Sequence, residues 1–458
     1  MHPQLSDPRV SIGRISPETL HSGDVGAAKK ILAEIATQLG WSDAKGRPFG
    51  GVLRQGGSVV VKPNLVLHEN QGGHGTECLI TDARLIQAAS EMALASGAGS
   101  VTVGDAPVQG CDLDGILRRT GLGPWAKALA QTDSRFRGIR DFRRTTCRFV
   151  HGVRLPEEEK VGMDSYVLFD LAQDSLLEPI SSKRPTFRVT CYDPRQLART
   201  HAPGKHQYLV ARDVIQADLV INLPKLKTHK KAGITCALKN LVGINGNKEY
   251  LPHHRVGGST VGGDCYPGWS WIKRAQEFCL DQQNMATNSR RAVVWRWLSV
   301  QAARASWILG DTLGVDGSWS GNDTTWRMCL DLNRILLYGR ADGTMANIPQ
   351  RVVIHLVDAI VAGQGEGPLA PMPLVLGMVL GARNAAAMDH VAARLLTYDP
   401  DRLPIVRNAL ATIGTAYPIA SFNAGAIQVF GEQAALANAA KGVAATLPRG
   451  WSDARRAG

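Results

Sequence analysis

Between residues 224 and 255 the sequence PKLKTHKKAGITCALKNLVGINGNKEYLPHHR concentrates groups that could do chemistry. Lys225, Lys227, Lys230, Lys231, Lys239, Lys248 and Arg255 are cations, Asn240 and Asn247 are amides, and His229, His253 and His254 titrate near neutral pH. Cations at this density suit an anionic ligand, and Gly243 and Gly246 would let backbone amides approach it. Lys225, Lys227, Lys239 and Lys248 would neutralise the anion, and His229 or His253 would serve as general acid or base. A lysine such as Lys227 could also be a nucleophile if buried beside another cation. The plain alternative is a solvated basic loop, which would need neither the buried strand before it nor the apolar ITCALKNLVGI inside it.

Two further sets stand apart from this one. GSWSGNDTTWRMCLDLNR (317–334) places Trp319, Asn322, Asp323 and Arg327 together, a mixture of aromatic faces and polar groups that suits a sugar. The same residues read equally well as a turn and helix N-cap. The carboxylates Asp358, Glu366 and Asp389 could orient the lysines or, if they converge, hold a divalent cation.

Several classes of cofactor lack their signatures. The eight cysteines are scattered without a C-x-x-C pair, so no iron–sulfur cluster is expected. No Walker or dinucleotide-binding glycine pattern follows a strand, so no nucleotide cofactor is indicated. The net charge of +12 favours an anionic partner. Without a nucleic-acid-binding module, it points to a small molecule or a membrane surface more than to nucleic acid. Neither a leader-like N-terminus nor an apolar run long enough to span a bilayer is present, which leads us to expect a cytoplasmic protein. Seven Arg against two Asp in 133–154 read as a solvated face or inserted loop.

The elements that must position these residues alternate strand, loop and helix. GSVVVKPNLV (57–66), TDARLIQAASEMALASG (81–97) and SVTVGDAP (100–107) form a βαβ unit, whose strands end in Lys62, Asn64 and Asp105. ADLVINLPKLKTH (217–229) is a buried strand that delivers Lys225, Lys227 and His229, and QRVVIHLVDAIVAGQGEGP (350–368) is another that carries Asp358. In parallel sheets ligands bind at the carboxyl edge, where these residues fall. AVVWRWLSVQAARASWIL (292–309) is a helix whose tryptophans we expect to face the core, although a membrane-surface helix has the same composition. The expected fold is α/β: two interleaved lobes with mostly parallel sheets and a helical, Trp-bearing insertion. Its parts are an N-terminal extension (1–50), a first lobe (51–265) with an Arg-rich elaboration at about 113–205, a helical segment (266–345) and a second α/β segment completing a cleft (346–458).

The ordered motifs VVVKPNLV, GDAP, ADLVINLPKLKTH, ITCALKNLVGING, KEYLPHH, VDAIVAGQGEGP and AAAMDHVAARLL resemble the domain of unknown function family numbered 362, over roughly 55–110 and 207–430. GSWSGNDTTWR and KEYLPHHR are similar to a subgroup from bacterial polysaccharide gene clusters. The resemblance implies a fold and a motif set, here Lys62, Asn64, Asp105, Lys225, Lys227, His229, Lys239, Asn240, Asp358, Glu366 and Asp389, and no reaction. The chain lacks the cysteines of members with an added ferredoxin-like segment. Together these readings favour an enzyme of transferase or isomerase type acting on a phosphorylated or carboxylated, sugar-derived small molecule. The alternative is a non-catalytic binding or assembly protein of a polysaccharide pathway at the membrane surface.

Overall fold

Val59, Val60 and Val61 point alternately into two hydrophobic layers, as do Leu219, Val220 and Ile221. This is the pattern of strands covered on both faces. The computed structural model describes residues 2–15, 24–147, 149–150, 153–154, 158–431 and 443–455.

The central sheet draws strands from the whole chain: β1 (Arg9–Arg14), β2 (Ser58–Pro63), β3 (Ser100–Asp105), β4 (Phe136–Asp141), β5 (Leu219–Leu223), β6 (Lys225–His229), β7 (Gly233–Thr235), β8 (Val352–Glu366), β9 (Ala370–Ala382) and β10 (Gln428–Phe430). The spatial order is β10-β1-β9-β8-β5-β2-β3-β4, with β6 on β8 and β7 on β6. From β8 to β4 all neighbours are parallel, and β9 runs against both β8 and β1. The expected βαβ unit is present as β2, α2 (Ala83–Ala95) and β3, and the segments 51–265 and 346–458 interleave their strands in one sheet.

One face is covered by α1 (Val25–Gln38) and α2, whose apolar sides meet Val59, Val61, Ile221 and Leu356. The other is covered by α6 (Thr325–Tyr338) and α7 (Ala385–Leu395), against Val60, Val220, Val357 and Leu380. Side chains cap these helices. Asp82 accepts from Arg84 N at 2.9 Å, and Asn384 accepts from Ala386 N and Ala387 N at 2.9 and 3.2 Å. Such caps satisfy amides that the first turn leaves without partners.

The position of the site follows from β8, which is fifteen residues long. Its first part pairs with β5, from Leu219↔Val352 to Asn222↔His355. Beyond the carboxyl end of β5 it pairs with β6, at Lys225↔Asp358 and Lys227↔Gly363. The chain thus leaves β5 at Pro224 and re-enters as β6 on an extension above the sheet edge. The short helix α3 (Ala237–Asn240) then returns to the sheet.

Many cations of the Arg-rich elaboration are structural. Arg143 is buried, pairs with Asp141 at 2.6 Å and donates to the carbonyls of Val108, Gln109 and Cys111; Arg135 pairs with Asp133 and Arg140 with Asp213. Arg148 and His151 lie outside the described residues. The expectation of core-facing tryptophans fails in the hairpin of α4 (Trp271–Met285) and α5 (Ser289–Ile308). Trp295 packs edge-on against Phe278, but Trp297 and Trp307 are exposed, because the packed stripe of α5 consists of Ala292, Ser299 and Ser306.

Candidate functional site

At the carboxyl edge, β2 supplies Lys62 and β3 supplies Asp105, whose charges meet at 2.6 Å with both side chains buried. The Lys62 amine also donates to Pro63 O at 2.7 Å and Asn240 Oδ1 at 3.3 Å, and Asp105 accepts from Leu65 N at 2.6 Å. Burial pulls the Lys62 amine below the usual lysine range, and Asp105 opposes that shift. Gly243 closes over the pair: a Cβ there would collide with the Asp105 carboxylate and lie 2.6 Å from Lys62 Nζ. Its carbonyl accepts from Ala106 N at 2.8 Å. Gly243 therefore permits close approach to a buried ion pair, and Gly246 lies against the Tyr166 ring.

Asn240 ties this pair to the sheet. Its amide nitrogen donates to Lys62 O and Asn222 Oδ1, at 3.2 and 2.7 Å, while its oxygen accepts from Lys62 Nζ and from Asn64 Nδ2 at 3.1 Å. Asn222 in turn donates to Ala237 O at 2.9 Å and His355 Nδ1 at 3.0 Å. Asn222 and His355 went unrecognised in the sequence, where an Asn in the middle of the apolar run LVINL was the available signal.

On β6, Lys225 is closed off. Its amine meets Asp358 at 2.6 Å and Val361 O at 3.2 Å, and Asp358 also accepts from Asp82 N and Ile360 N. Burial raises the Asp358 carboxyl and Lys225 opposes the rise. Asp358 thus holds Lys225 and the start of α2, the lysine-orienting arrangement that was one of its two expected roles.

Lys227 is different: its partners are neutral. It donates to Leu79 O at 2.6 Å and Asn64 Oδ1 at 3.1 Å. Burial, with repulsion from Lys225 and Lys239, brings its pKa down to about 7. Lys239 is buried with no hydrogen-bond or carboxylate partner for its amine among the described residues, and burial lowers its pKa. Lys248, on the next turn, is partly exposed and lowered to about 8 by desolvation, which the attraction of Asp105 opposes.

The two histidines at this cluster are held in opposite tautomers. His229 Nδ1 accepts from Lys231 N and Ala232 N, at 3.0 and 3.2 Å, so its proton sits on Nε2. His253 Nδ1 donates to Leu251 O at 2.7 Å, which leaves Nε2 as a bare acceptor. Burial and the surrounding lysines push both well below the ordinary imidazole value. The cluster therefore offers unneutralised amines, one imidazole donor and one imidazole acceptor.

Residues 169–394 match DUF362, a domain of unknown function. No curated protein matches the chain. Among solved structures, a crystal structure from Thermotoga maritima is similar at TM-score 0.33 and 8% identity, over 77% of this chain and 54% of that one. This chain therefore spans about half the length of that protein. The DUF362 segment carries the lysines and histidines of the site, whereas Lys62, Asn64 and Asp105 lie before it, outside the match.

Within the matched residues the other expected side chains have structural partners. Asn322 caps α6 by accepting from Thr324 N and Thr325 N, and donates to His253 O and Gly317 O. Asp323 holds Arg327 and the Trp326 indole, and Trp319 donates to Asp264 O. These side chains form the N-terminal cap of α6 and brace the His253 loop, so the capping reading describes them. Asp264, unrecognised in the sequence, organises that loop through Arg255 N, Asp323 N and Thr324 Oγ1.

The three candidate metal-binding carboxylates are kept apart. Glu366 sits eight residues beyond Asp358 on one strand, roughly 26 Å at an extended rise, and meets Lys230 and Arg449 N. Asp389, on α7, accepts from Ala237 N and Leu238 N at the start of α3. Among the described residues no three His, Cys, Asp or Glu side chains gather as a metal site.

Proposed function

We propose that this chain is an enzyme that binds a phosphorylated or carboxylated small molecule over Lys227, Lys239 and Lys248, with His229 and His253 moving protons. The observation that carries the reading is the charge imbalance. The nearby carboxylates Asp105 and Asp358 are already matched by Lys62 and Lys225, which leaves the buried Lys227 and Lys239 and the partly exposed Lys248 without an acidic partner among the described residues. Unpaired buried cations are costly, and a bound anion would offset that cost. An imidazole that can donate beside one that can accept suits proton transfer, as an isomerase or a transferase requires. Because GSWSGNDTTWR and KEYLPHHR resemble members from polysaccharide gene clusters, we take a sugar-derived anion as the first candidate.

The test is thermal unfolding against sugar phosphates, nucleotide sugars and carboxylates. A ligand at about a hundred times its Kd adds about 2.7 kcal/mol, so one anionic class should raise the midpoint by a few degrees. Lys239→Ala should remove that shift. If no anion moves the midpoint, or if Lys239→Ala responds like the parent chain, the reading fails.

A further inference from the structure

α5 packs through small residues and leaves large ones in solvent. The residues it buries, Ala292, Ser299 and Ser306, recur every seven positions and are small. Among the residues it exposes are large apolar ones as well as four arginines: Trp297 is 60% exposed, Trp307 67% and Ile308 75%, with Val293 and Val300 beside them. At 3.6 residues per turn, positions 293, 297, 300, 304, 307 and 308 fall within a sector of about 100°. A helix that packs only through its core face places small or polar residues outward, so an apolar stripe facing water marks an interaction surface.

Charge indicates the partner. Arg304 lies within the apolar stripe, Arg290 flanks it, and no Asp or Glu occurs from residue 282 to residue 310. A second copy docking here would set like charges against each other. An anionic bilayer meets both requirements, because indole rings favour the interfacial region and guanidinium groups pair with lipid phosphates. No helix among the described residues is long and apolar enough to cross a membrane, so α5 would lie in the plane of the interface.

We propose that the exposed face of α5, built from Val293, Trp297, Val300, Arg304, Trp307 and Ile308, docks the protein on an anionic lipid surface. This is independent of the function proposed for the lysine site.

The experiment is co-sedimentation of the full chain with vesicles of phosphatidylcholine alone and of equal parts phosphatidylcholine and phosphatidylglycerol. Tryptophan emission and oligomeric state are followed in parallel. Binding is expected on the mixed vesicles only, with a blue shift of the emission and loss of binding at high salt. The exposed-face variant Trp297→Ser, Trp307→Ser, Ile308→Ser should keep the parent midpoint of unfolding and lose about tenfold or more in partitioning. Arg290→Gln, Arg304→Gln should lower binding and weaken its salt dependence. No binding to mixed vesicles, or equal binding by the serine variant, overturns the proposal. So does a dimer in solution that the serine variant converts to monomer, which would assign the face to a second copy.

Discussion

The amine of Lys227 donates to Asn64 Oδ1 at 3.1 Å across 163 positions of sequence. The other end of the Asn64 amide donates to Asn240 Oδ1, the oxygen that also accepts from Lys62. One side chain from the loop after β2 thus couples the closed Lys62–Asp105 pair to the open amines of β6 and α3. Because both acceptors of Lys227 are neutral, its charge is left for something else to match.

Lys239 gives the most direct test of that surplus. Replacing it with Met keeps an unbranched apolar stem and removes a buried charge that has no partner among the described residues. The ligand-free variant should gain about 1–2 kcal/mol in denaturant unfolding, and its midpoint should no longer respond to anions. A loss of stability would instead mean that the amine supports the fold.

The Lys62–Asp105 pair should behave in the opposite way. Lys62→Met strands a carboxylate, and Asp105→Asn strands an amine, so each should cost about 3–5 kcal/mol. The double variant should cost clearly less than the two added together, since the partners are in contact. Additive losses in a double-mutant cycle would deny the coupling.

The sheet was legible because Ser58–Pro63, Ser100–Asp105 and Leu219–Leu223 are short β-branched or leucine-rich runs ending in Lys-Pro, Gly-Asp and Asn-Leu. Their lysines and carboxylates were legible for the same reason, since a parallel strand delivers its last residues to the carboxyl edge. Which charges pair was not legible: Lys225 and Lys227 lie two residues apart, yet only Lys225 finds a carboxylate, because register sets Asp358 opposite it. That Asp358 and Glu366 lie far apart was not legible either, since the distance along β8 requires knowing that the strand continues past the end of β5. Trp297 misled because composition alone does not say which stripe of a helix is packed.

Asp389 provides a pH test away from the lysines. Burial raises its pKa to about 7 although it accepts from two backbone amides. The folded state therefore holds more protons than the unfolded state between the usual carboxyl range and about pH 7, and this group makes stability fall as pH rises through that window. Asp389→Asn removes that dependence. Relative to the parent, the variant should be more stable at pH 8 than at pH 5, as read from urea midpoints at the two pH values. A difference independent of pH would show that the carboxyl is charged throughout.

Lys227 and Lys248 should make stability and anion binding depend on pH in opposite directions. Their folded values, about 7 and about 8, lie below the 10.5 of a free lysine. Below pH 7 both states carry the protons and the burial penalty is fully present. Between about pH 7 and 10.5 the unfolded chain binds more protons, so these groups make the ligand-free protein more stable as pH rises. Anion binding needs the protonated amines, so affinity for a sugar phosphate should decline over the same window. Isothermal titration at pH 6.5 and pH 9 measures the second trend, and urea unfolding of the parent against Lys227→Met isolates the first from other titrating groups. Affinity that is unchanged at pH 9 would mean that the ligand is held by groups other than these amines.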